Sequence, residues 1–301
     1  ILQRDLRMRE TFLINLAWFG TMGAMSLWMI GNGTLRTYND MVTIALAGVS
    51  MSSAAAVLLT WKQLRFSTDG TVALLAVLRF ASPQALMVAL SNSIRQLDIL
   101  LVQVYFGLPA SGVYNSAKMF YRVFETATDA GIALMYPAAV RLFAQKRESS
   151  IITIFSKAIS FILIPTIGAV VILELGATDL LVGLLGEKFR AAAPQFNVMI
   201  LGALFLPFFI LQSVELAQHY TGKLLRHVVI SMVCGLLTFY VLGKMQLATW
   251  FPLGIVAYSC AFAVQLVWSV RSELHFPLSD IFRAVPDALS FVRDFRAVGD
   301  K

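Results

Sequence analysis

The 301 residues are 58% apolar and 14% charged, and their mean hydropathy is +0.75. A water-soluble domain is nearer ~45–50% apolar and ~25% charged, so this composition excludes most soluble enzymes, disulfide scaffolds, disordered tails and coiled coils. It predicts a protein that crosses a membrane several times. The net charge of +7 is then explained by basic loops at a membrane surface, and no nucleic-acid partner is expected.

Eight apolar segments reach or approach the roughly 20 residues that a helix needs to span a bilayer. They cover residues 11–30, 41–61, 71–106, 113–144, 151–175, 193–217, 228–242 and 251–270. The predicted fold class is therefore all-α: a polytopic membrane protein with about eight transmembrane helices. The third and fourth segments are long enough to tilt or to extend beyond the bilayer.

The distribution of basic residues predicts the orientation of these helices. If the chain begins in the cytoplasm, the loops on that side hold most of its 24 Lys and Arg residues. The loops on the other side hold Arg36, Lys188, Arg190 and Lys244. Because Lys and Arg collect in cytoplasmic loops, both ends of the chain are predicted to face the cytoplasm.

Six charged residues interrupt the third and fourth segments, where insertion scales assign each a cost of at least ~2.5–3.5 kcal/mol. They are Arg95, Asp98, Lys118, Arg122, Glu125 and Asp129. The last four follow helical spacing and form one stripe, which Tyr114 extends by a turn. Asp98 and Lys118 are equally far along the chain from a turn predicted near Leu108, so an Asp98–Lys118 or an Asp98–Arg122 pair is expected.

These charges allow two interpretations. They can neutralise one another and hold two helices together, or they can border a hydrated central cavity whose outer half is cationic. We favour the cavity, because three cations and three anions exceed what the adhesion of one hairpin requires.

Elsewhere, Glu215 is expected to pair locally with His219 or Lys223. No Gly-rich phosphate loop, nucleophile elbow or Cys/His cluster occurs, so an ATP-driven pump or a hydrolase is not favoured, and no cofactor or metal is predicted.

Three stretches resemble the polysaccharide biosynthesis transporter family, which belongs to the multidrug/oligosaccharidyl-lipid/polysaccharide exporter superfamily. The first, SNSIRQLDILLVQVYFGLPASGVYNSAKMF at 91–120, has an Asp in an apolar run, a short turn, and then Gly-Val-Tyr and a small-residue helix. The second, LLGEKFRAAAPQFNVMI at 184–200, is similar to the family's Gly–aromatic–Ala–Pro entry into a later span, with Phe189 where Tyr is common. The third is the Tyr136-Pro137 and Arg141 run that ends the fourth span.

The resemblance implies two six-helix lobes, of which this chain holds one and part of another. Residues 1–70 would supply the last two helices of an incomplete N-terminal lobe, and residues 71–271 a six-helix C-terminal lobe. Residues 272–301 would form a cytoplasmic amphipathic tail, because Ile281, Val285 and Leu289 repeat at helical spacing. On this interpretation the chain lacks upstream helices and is N-terminally truncated.

The resemblance also implies a function, which is to flip an undecaprenyl-pyrophosphate-linked oligosaccharide across the bacterial inner membrane for O-antigen, capsule or exopolysaccharide biosynthesis. Arg95, Lys118 and Arg122 would then bind the anionic substrate. Asp98, Glu125 and Asp129 would orient these cations or carry a coupling ion. The expected partners are the lipid-linked oligosaccharide, membrane lipid, a polysaccharide polymerase and a chain-length regulator.

Three other functions remain open at this stage. A multidrug/cation antiporter of the same superfamily would have a cavity dominated by acidic residues. An integral membrane glycan polymerase or glycosyltransferase, which unlike a transporter is an enzyme, would have a large outer loop, whereas the longest one predicted here spans only 175–192. A structural membrane scaffold would not need six charges within its spans.

Overall fold

The computed structural model describes residues 8–34, 37–61, 74–146 and 148–274. All regular secondary structure in these ranges is helical. The α-helices are α1 Met8–Gly31, α2 Tyr38–Thr60, α3 Leu74–Phe106, α4 Leu108–Ala144, α5 Glu148–Leu185, α6 Ala193–Ile200, α7 Gln212–Ala217, α8 Thr221–Lys244 and α9 Leu253–Leu274. Two 3₁₀ segments, Glu187–Ala192 and Leu201–Leu211, precede and follow α6.

These helices confirm the predicted polytopic membrane fold. Seven segments in the described residues are long and apolar enough to cross a membrane. The fourth predicted span, residues 113–144, corresponds to α4, which is also long enough, but its charges and polar side chains lower its hydropathy. Helix faces expose large apolar side chains, such as Val104 at 77% and Leu175 at 86%, which suit lipid better than water. The predicted amphipathic helix in the tail lies outside the described residues.

The chain divides into two compact units, residues 1–73 and 74–301. Their assignment to an N-terminal and a C-terminal lobe stays a prediction. In the first unit, α1 and α2 form a helical hairpin. Thr37 caps α2 in a capping box, in which its backbone N–H donates to Asp40 Oδ2 at 2.7 Å. Gly48 lets α2 approach Trp18 and Met22 of α1, because an added Cβ would lie 2.6 Å from Met22 Cγ.

The second unit begins with the long α3–α4 hairpin. Gly107 makes the turn with a φ of 87°, a conformation that glycine adopts without steric cost. Pro109 follows in the first turn of α4, where its missing N–H leaves no helical hydrogen bond unmade. The turn therefore forms where the sequence predicts it, next to Leu108. It sets α3 and α4 side by side, with their charged residues at matching depth.

The sixth predicted span is not one continuous α-helix. It consists of α6, the 3₁₀ segment Leu201–Leu211, and α7. This is the most buried of the candidate spans in the described residues, and it packs against α4, α5 and α9. Gly202 lies against the hydroxyl of Tyr121, to which an added Cβ would be 3.1 Å away. The span therefore forms the centre around which α4 and α9 are placed.

Glycines also allow α8 and α9 to pack closely, as small residues do between transmembrane helices. An added Cβ on Gly235 of α8 would lie 3.0 Å from the Gly254 carbonyl of α9. One on Gly254 would lie 2.4 Å from the ring of Phe239, which is itself buried. The backbones of α8 and α9 are therefore nearly in contact at these glycines. Phe239 fills the space that the side chain of a larger residue at position 254 would occupy.

We expect Gly254→Ala to lower the free energy of unfolding by about 1–3 kcal/mol, the usual cost of overpacking. The matched control is Gly176→Ala in α5, where an added Cβ has no neighbour within 4 Å and alanine favours the helix. The thermal unfolding midpoint of the purified protein measures both changes. Equal midpoints for the two variants would contradict the close packing of α8 against α9.

Candidate functional site

The charged residues predicted from the sequence lie together on the α3–α4 hairpin. Five of the six form two connected groups. The buried pair is Asp98 and Lys118, and the open triad is Arg95, Glu125 and Asp129. Helical spacing explains the grouping, because residues three or four apart share a face and the antiparallel hairpin brings the two faces into contact.

The buried pair is closed to solvent and fully hydrogen-bonded. The exposures of the Asp98 and Lys118 side chains are 0% and 1%. Lys118 Nζ donates to Asp98 Oδ1 at 2.6 Å, to Asp98 Oδ2 at 2.5 Å and to the Arg95 carbonyl at 2.5 Å. These three contacts use all three ammonium hydrogens. The structure therefore forms the first of the two ion pairs that the sequence allowed, and it leaves Lys118 no donor for a ligand.

Tyr114 links the buried pair to an aromatic cluster at the turn end of the hairpin. Its hydroxyl donates to Asp98 Oδ2 at 2.9 Å, which confirms that it extends the polar stripe. Its ring meets Phe251 edge to face with centroids 6.2 Å apart, and Phe251 also packs against Phe106 at 5.3 Å and Phe239 at 4.8 Å. Tyr114 thus joins the pair to a cluster of apolar rings, and ionic hydrogen bonds are stronger in such low-dielectric surroundings than in water.

The open triad is less enclosed. Arg95 binds Asp129 with two parallel hydrogen bonds, from Nη1 at 2.9 Å and from Nη2 at 3.2 Å. Its Nε lies 3.6 Å from Glu125 Oε1, beyond hydrogen-bond distance. The side chains of Arg95, Glu125 and Asp129 are 27%, 14% and 49% exposed. The bidentate contact therefore fixes the guanidinium plane, while Nε keeps a donor free for another acceptor.

A narrow cavity lies beside the triad. Its polar lining comes from Arg95, Lys118, Glu125, Tyr258 and Ser259, and its apolar walls come from α3, the 3₁₀ segment Leu201–Leu211, α8 and α9. It measures about 20 Å³, which is room for one or two water molecules. Within residues 74–146 and 148–274, the space beside the triad is therefore the size of water, not of a sugar.

Arg122 differs from the other five residues. It is exposed, and it forms no ion pair within the part of the chain that the structure describes. It lies one turn from Lys118 and close to Glu125 in the helical sequence of α4. The hairpin thus contains a dry neutralised pair, which is one of the two arrangements that the sequence left open, beside a triad and an arginine that reach accessible surface. The hydrated central cavity stays a prediction.

Sequence reasoning missed the side chains that α9 contributes. Ser259 shares a hydrogen bond of 3.3 Å with the buried hydroxyl of Tyr121, and Tyr258 is hydrogen-bonded to Ser91 of α3. Tyr and Ser are common in apolar spans, and neither residue adds a charge. Only the tertiary fold brings them beside α3 and α4, so the sequence carried no signal for them.

Among the described residues, no group of three His, Cys, Asp or Glu side chains is placed to hold a metal.

We expect Lys118→Met or Asp98→Leu alone to cost about 3–5 kcal/mol of unfolding free energy, because each leaves one buried charge unpaired. The double variant should recover most of this loss, since it removes both charges. Denaturation of the purified protein measures the three values. Glu187→Gln is the control, because it breaks the exposed Glu187–Arg190 pair and should leave stability unchanged. Strictly additive losses in the double variant would show that the two side chains do not interact.

Comparison with known proteins identifies the family. A family model described as "Polysaccharide biosynthesis protein" matches residues 1–194. This range includes α1 to α5 and therefore all six charged residues of the hairpin. No curated protein and no solved structure matches the chain. The matched range is well over half of the sequence, and it agrees with the resemblance carried by residues 91–120. The chain belongs to the polysaccharide biosynthesis protein family.

Proposed function

We propose that this membrane protein is a flippase that moves undecaprenyl-pyrophosphate-linked oligosaccharide from the inner to the outer leaflet of a bacterial inner membrane. The family supports a role in polysaccharide biosynthesis. The observation that carries the proposal is the environment of Arg95, which lies within a membrane-spanning helix. Asp129 fixes the plane of its guanidinium group with two hydrogen bonds, and its side chain is still 27% exposed. An intramembrane charge of this kind is a functional-site candidate by default.

Arginine suits a pyrophosphate chemically. Its planar guanidinium binds phosphate oxygens with two parallel N–H donors, in the same geometry with which Arg95 binds Asp129. A pyrophosphate can therefore replace the Asp129 carboxylate, which is half exposed and can return to water. In this exchange Arg95 stays paired throughout, so no uncompensated charge is left within the membrane.

Arg122 would add a second contact from the exposed surface of α4. Lys118, which the sequence grouped with the two arginines, has a different role in this proposal. With its donors all bound within the buried pair, it positions Arg95 by holding the carbonyl of that residue. Asp98 orients Lys118, and Glu125 and Asp129 orient Arg95 or exchange a coupling ion.

The remaining features of the proposal rest on composition. The excess of Lys and Arg in alternate loops supports cytoplasmic placement of both chain ends. The apolar outer faces of α3 and α5 would allow the polyprenyl tail to remain in lipid while the head group passes. The chemistry is non-covalent, so the protein would act as a transporter and not as an enzyme. A polysaccharide polymerase and a chain-length regulator would use the exported product.

We expect Arg95→Ala and Arg122→Ala to lower glycan export about tenfold or more, since a hydrogen bond to a charged group contributes ~1.5–3 kcal/mol. Export is measured in cells as surface polysaccharide, at matched levels of protein in the membrane. Arg95→Lys should retain part of the activity, because lysine keeps the charge but loses the bidentate geometry. Arg190→Gln is the control, because Arg190 pairs with Glu187 at the surface. Normal export by both alanine variants would contradict the proposal.

Asp129→Asn separates this function from cation antiport. For a flippase in which Asp129 orients Arg95 and does not carry the coupling ion, the substitution frees Arg95 from its competitor, so export should be retained and the affinity for pyrophosphate should rise. For a cation antiporter, the same substitution removes a cation ligand and should abolish activity. A loss of export in Asp129→Asn as large as that in Arg95→Ala would show that the Arg95–Asp129 pair acts as a structural unit.

A further inference from the structure

A second group of buried polar residues lies where α7, α8 and α9 meet. Glu215 of α7 and His227 of α8 are 0% and 2% exposed, and Glu215 Oε1 lies 3.3 Å from His227 Nε2. The Ser269 hydroxyl of α9 donates to the same carboxylate oxygen. The sequence predicted a local partner for Glu215, but the candidate partner Lys223 instead binds Glu273 at 2.5 Å. The carboxylate is therefore shared by three helices.

The neighbouring Gln265 determines which nitrogen of His227 carries a hydrogen. The Gln265 Nε2 amide donates to Ser231 Oγ at 2.8 Å and to the Ala261 carbonyl at 3.0 Å. A carbonyl can only accept, so the amide orientation is fixed and Gln265 Oε1 must be the atom that faces His227 Nδ1 at 3.2 Å. An amide oxygen also only accepts. His227 Nδ1 therefore carries a hydrogen.

This assignment decides what lies between His227 and Glu215. If the carboxylate were ionised and the imidazole neutral, Nε2 would present a lone pair to a negatively charged oxygen inside the protein. Two facing acceptors without a hydrogen between them are unfavourable, and burial makes the arrangement costlier. One added proton removes the conflict in either of two forms: a carboxylic acid that donates to Nε2, or an imidazolium that donates to the carboxylate.

We propose that Glu215 and His227 form a binding site for a single proton within the helical bundle. Two observations support a site that can gain and lose this proton. Within the described residues, Glu215 Oε2 and His227 Nε2 are both buried without a hydrogen-bond partner, and His227 Nε2 lies 3.3 Å from Glu215 Oε1. The site also connects α7, α8 and α9, so gain or loss of the proton changes the contact between three spans.

Among the described residues, no lysine or arginine on the surrounding helices forms an ion pair with Glu215. Lys223 of α8 is bound to Glu273 of α9, and Asp129 of α4 is bound to Arg95. Three further cations, Arg141 of α4, Arg226 of α8 and Arg271 of α9, are exposed. The 3₁₀ segment Leu201–Leu211 contains no titratable residue. The proton is thus the counter-charge available to the buried pair, and the proposal does not depend on what the protein transports.

Nitrogen-15 NMR of histidine-labelled protein in nanodiscs tests this site. The chain has three histidines, so His219→Gln and His275→Gln assign the His227 signals by elimination. At neutral pH, His227 Nε2 should have the shift of a nitrogen that carries or strongly binds a hydrogen, and Nδ1 that of an N–H. A shift typical of a bare imidazole nitrogen at Nε2 would overturn the proposal.

The thermal unfolding midpoint provides the second test. Stability falls as pH rises wherever the folded chain holds a proton that the unfolded chain has lost. The wild-type midpoint should therefore fall between neutral and alkaline pH, and Glu215→Gln should abolish this fall, because its amide supplies the N–H without ionising. Glu273→Gln is the matched control and should lower the midpoint at every pH without changing its slope. Parallel curves for wild type and Glu215→Gln would also overturn the proposal.

Discussion

The structure of the second unit depends on one constraint, which is that ionised side chains buried between the helices must be paired. Asp98 and Lys118 satisfy it with ionic hydrogen bonds that occupy every hydrogen of the ammonium group. Their geometry fixes α3 against α4. Tyr114 connects the pair to the aromatic cluster around Phe251, because its hydroxyl binds Asp98 and its ring packs against Phe251. A buried ion pair is weak evidence for added stability, but removal of one partner is costly, so it specifies how the two helices align.

The buried pair explains how Arg95 can stay accessible in the same hairpin. The Arg95 carbonyl accepts a hydrogen bond from Lys118, while its guanidinium lies against Asp129. The backbone of this residue is therefore fixed by a closed ionic network, and its side chain is presented at the edge of a water-sized cavity. A fixed backbone with an accessible side chain is useful to a transporter, because the guanidinium group of Arg95 can then exchange one anionic partner for another while the helix stays in place.

Much of the helical architecture could be predicted from the sequence, because apolar length and helical spacing are local properties. The spans that became α1, α2 and α9 have bounds close to those predicted, and the turn at Gly107 lies beside the predicted one. The α3–α4 charge stripe was also predictable, since Lys118, Glu125 and Asp129 follow the helical repeat. The 3₁₀ geometry of Leu201–Leu211 was not, because no local pattern in this apolar segment distinguishes it from an α-helix; the segment packs against α4, α5 and α9.

The site itself was predictable only in part. Arg95, Lys118 and Arg122 had equal weight as candidate ligands, because a sequence contains no information on which cation is enclosed. Burial of Lys118 is a property of the tertiary fold, and so is the hydrogen bond between Tyr121 and Ser259, which joins residues of different helices. For the same reason Glu215 was assigned a neighbour along the chain, whereas His227 and Ser269 approach it through the tertiary fold.

In the proposed function, Arg95 faces an anionic lipid head group. Native mass spectrometry of the purified protein with undecaprenyl pyrophosphate and with uncharged undecaprenol tests it most directly, because the two lipids share the same tail. Selective retention of the pyrophosphate lipid, weakened about tenfold in Arg95→Ala as expected for one charge-assisted contact, is the predicted result. Equal retention of the two lipids by the wild-type protein would contradict it.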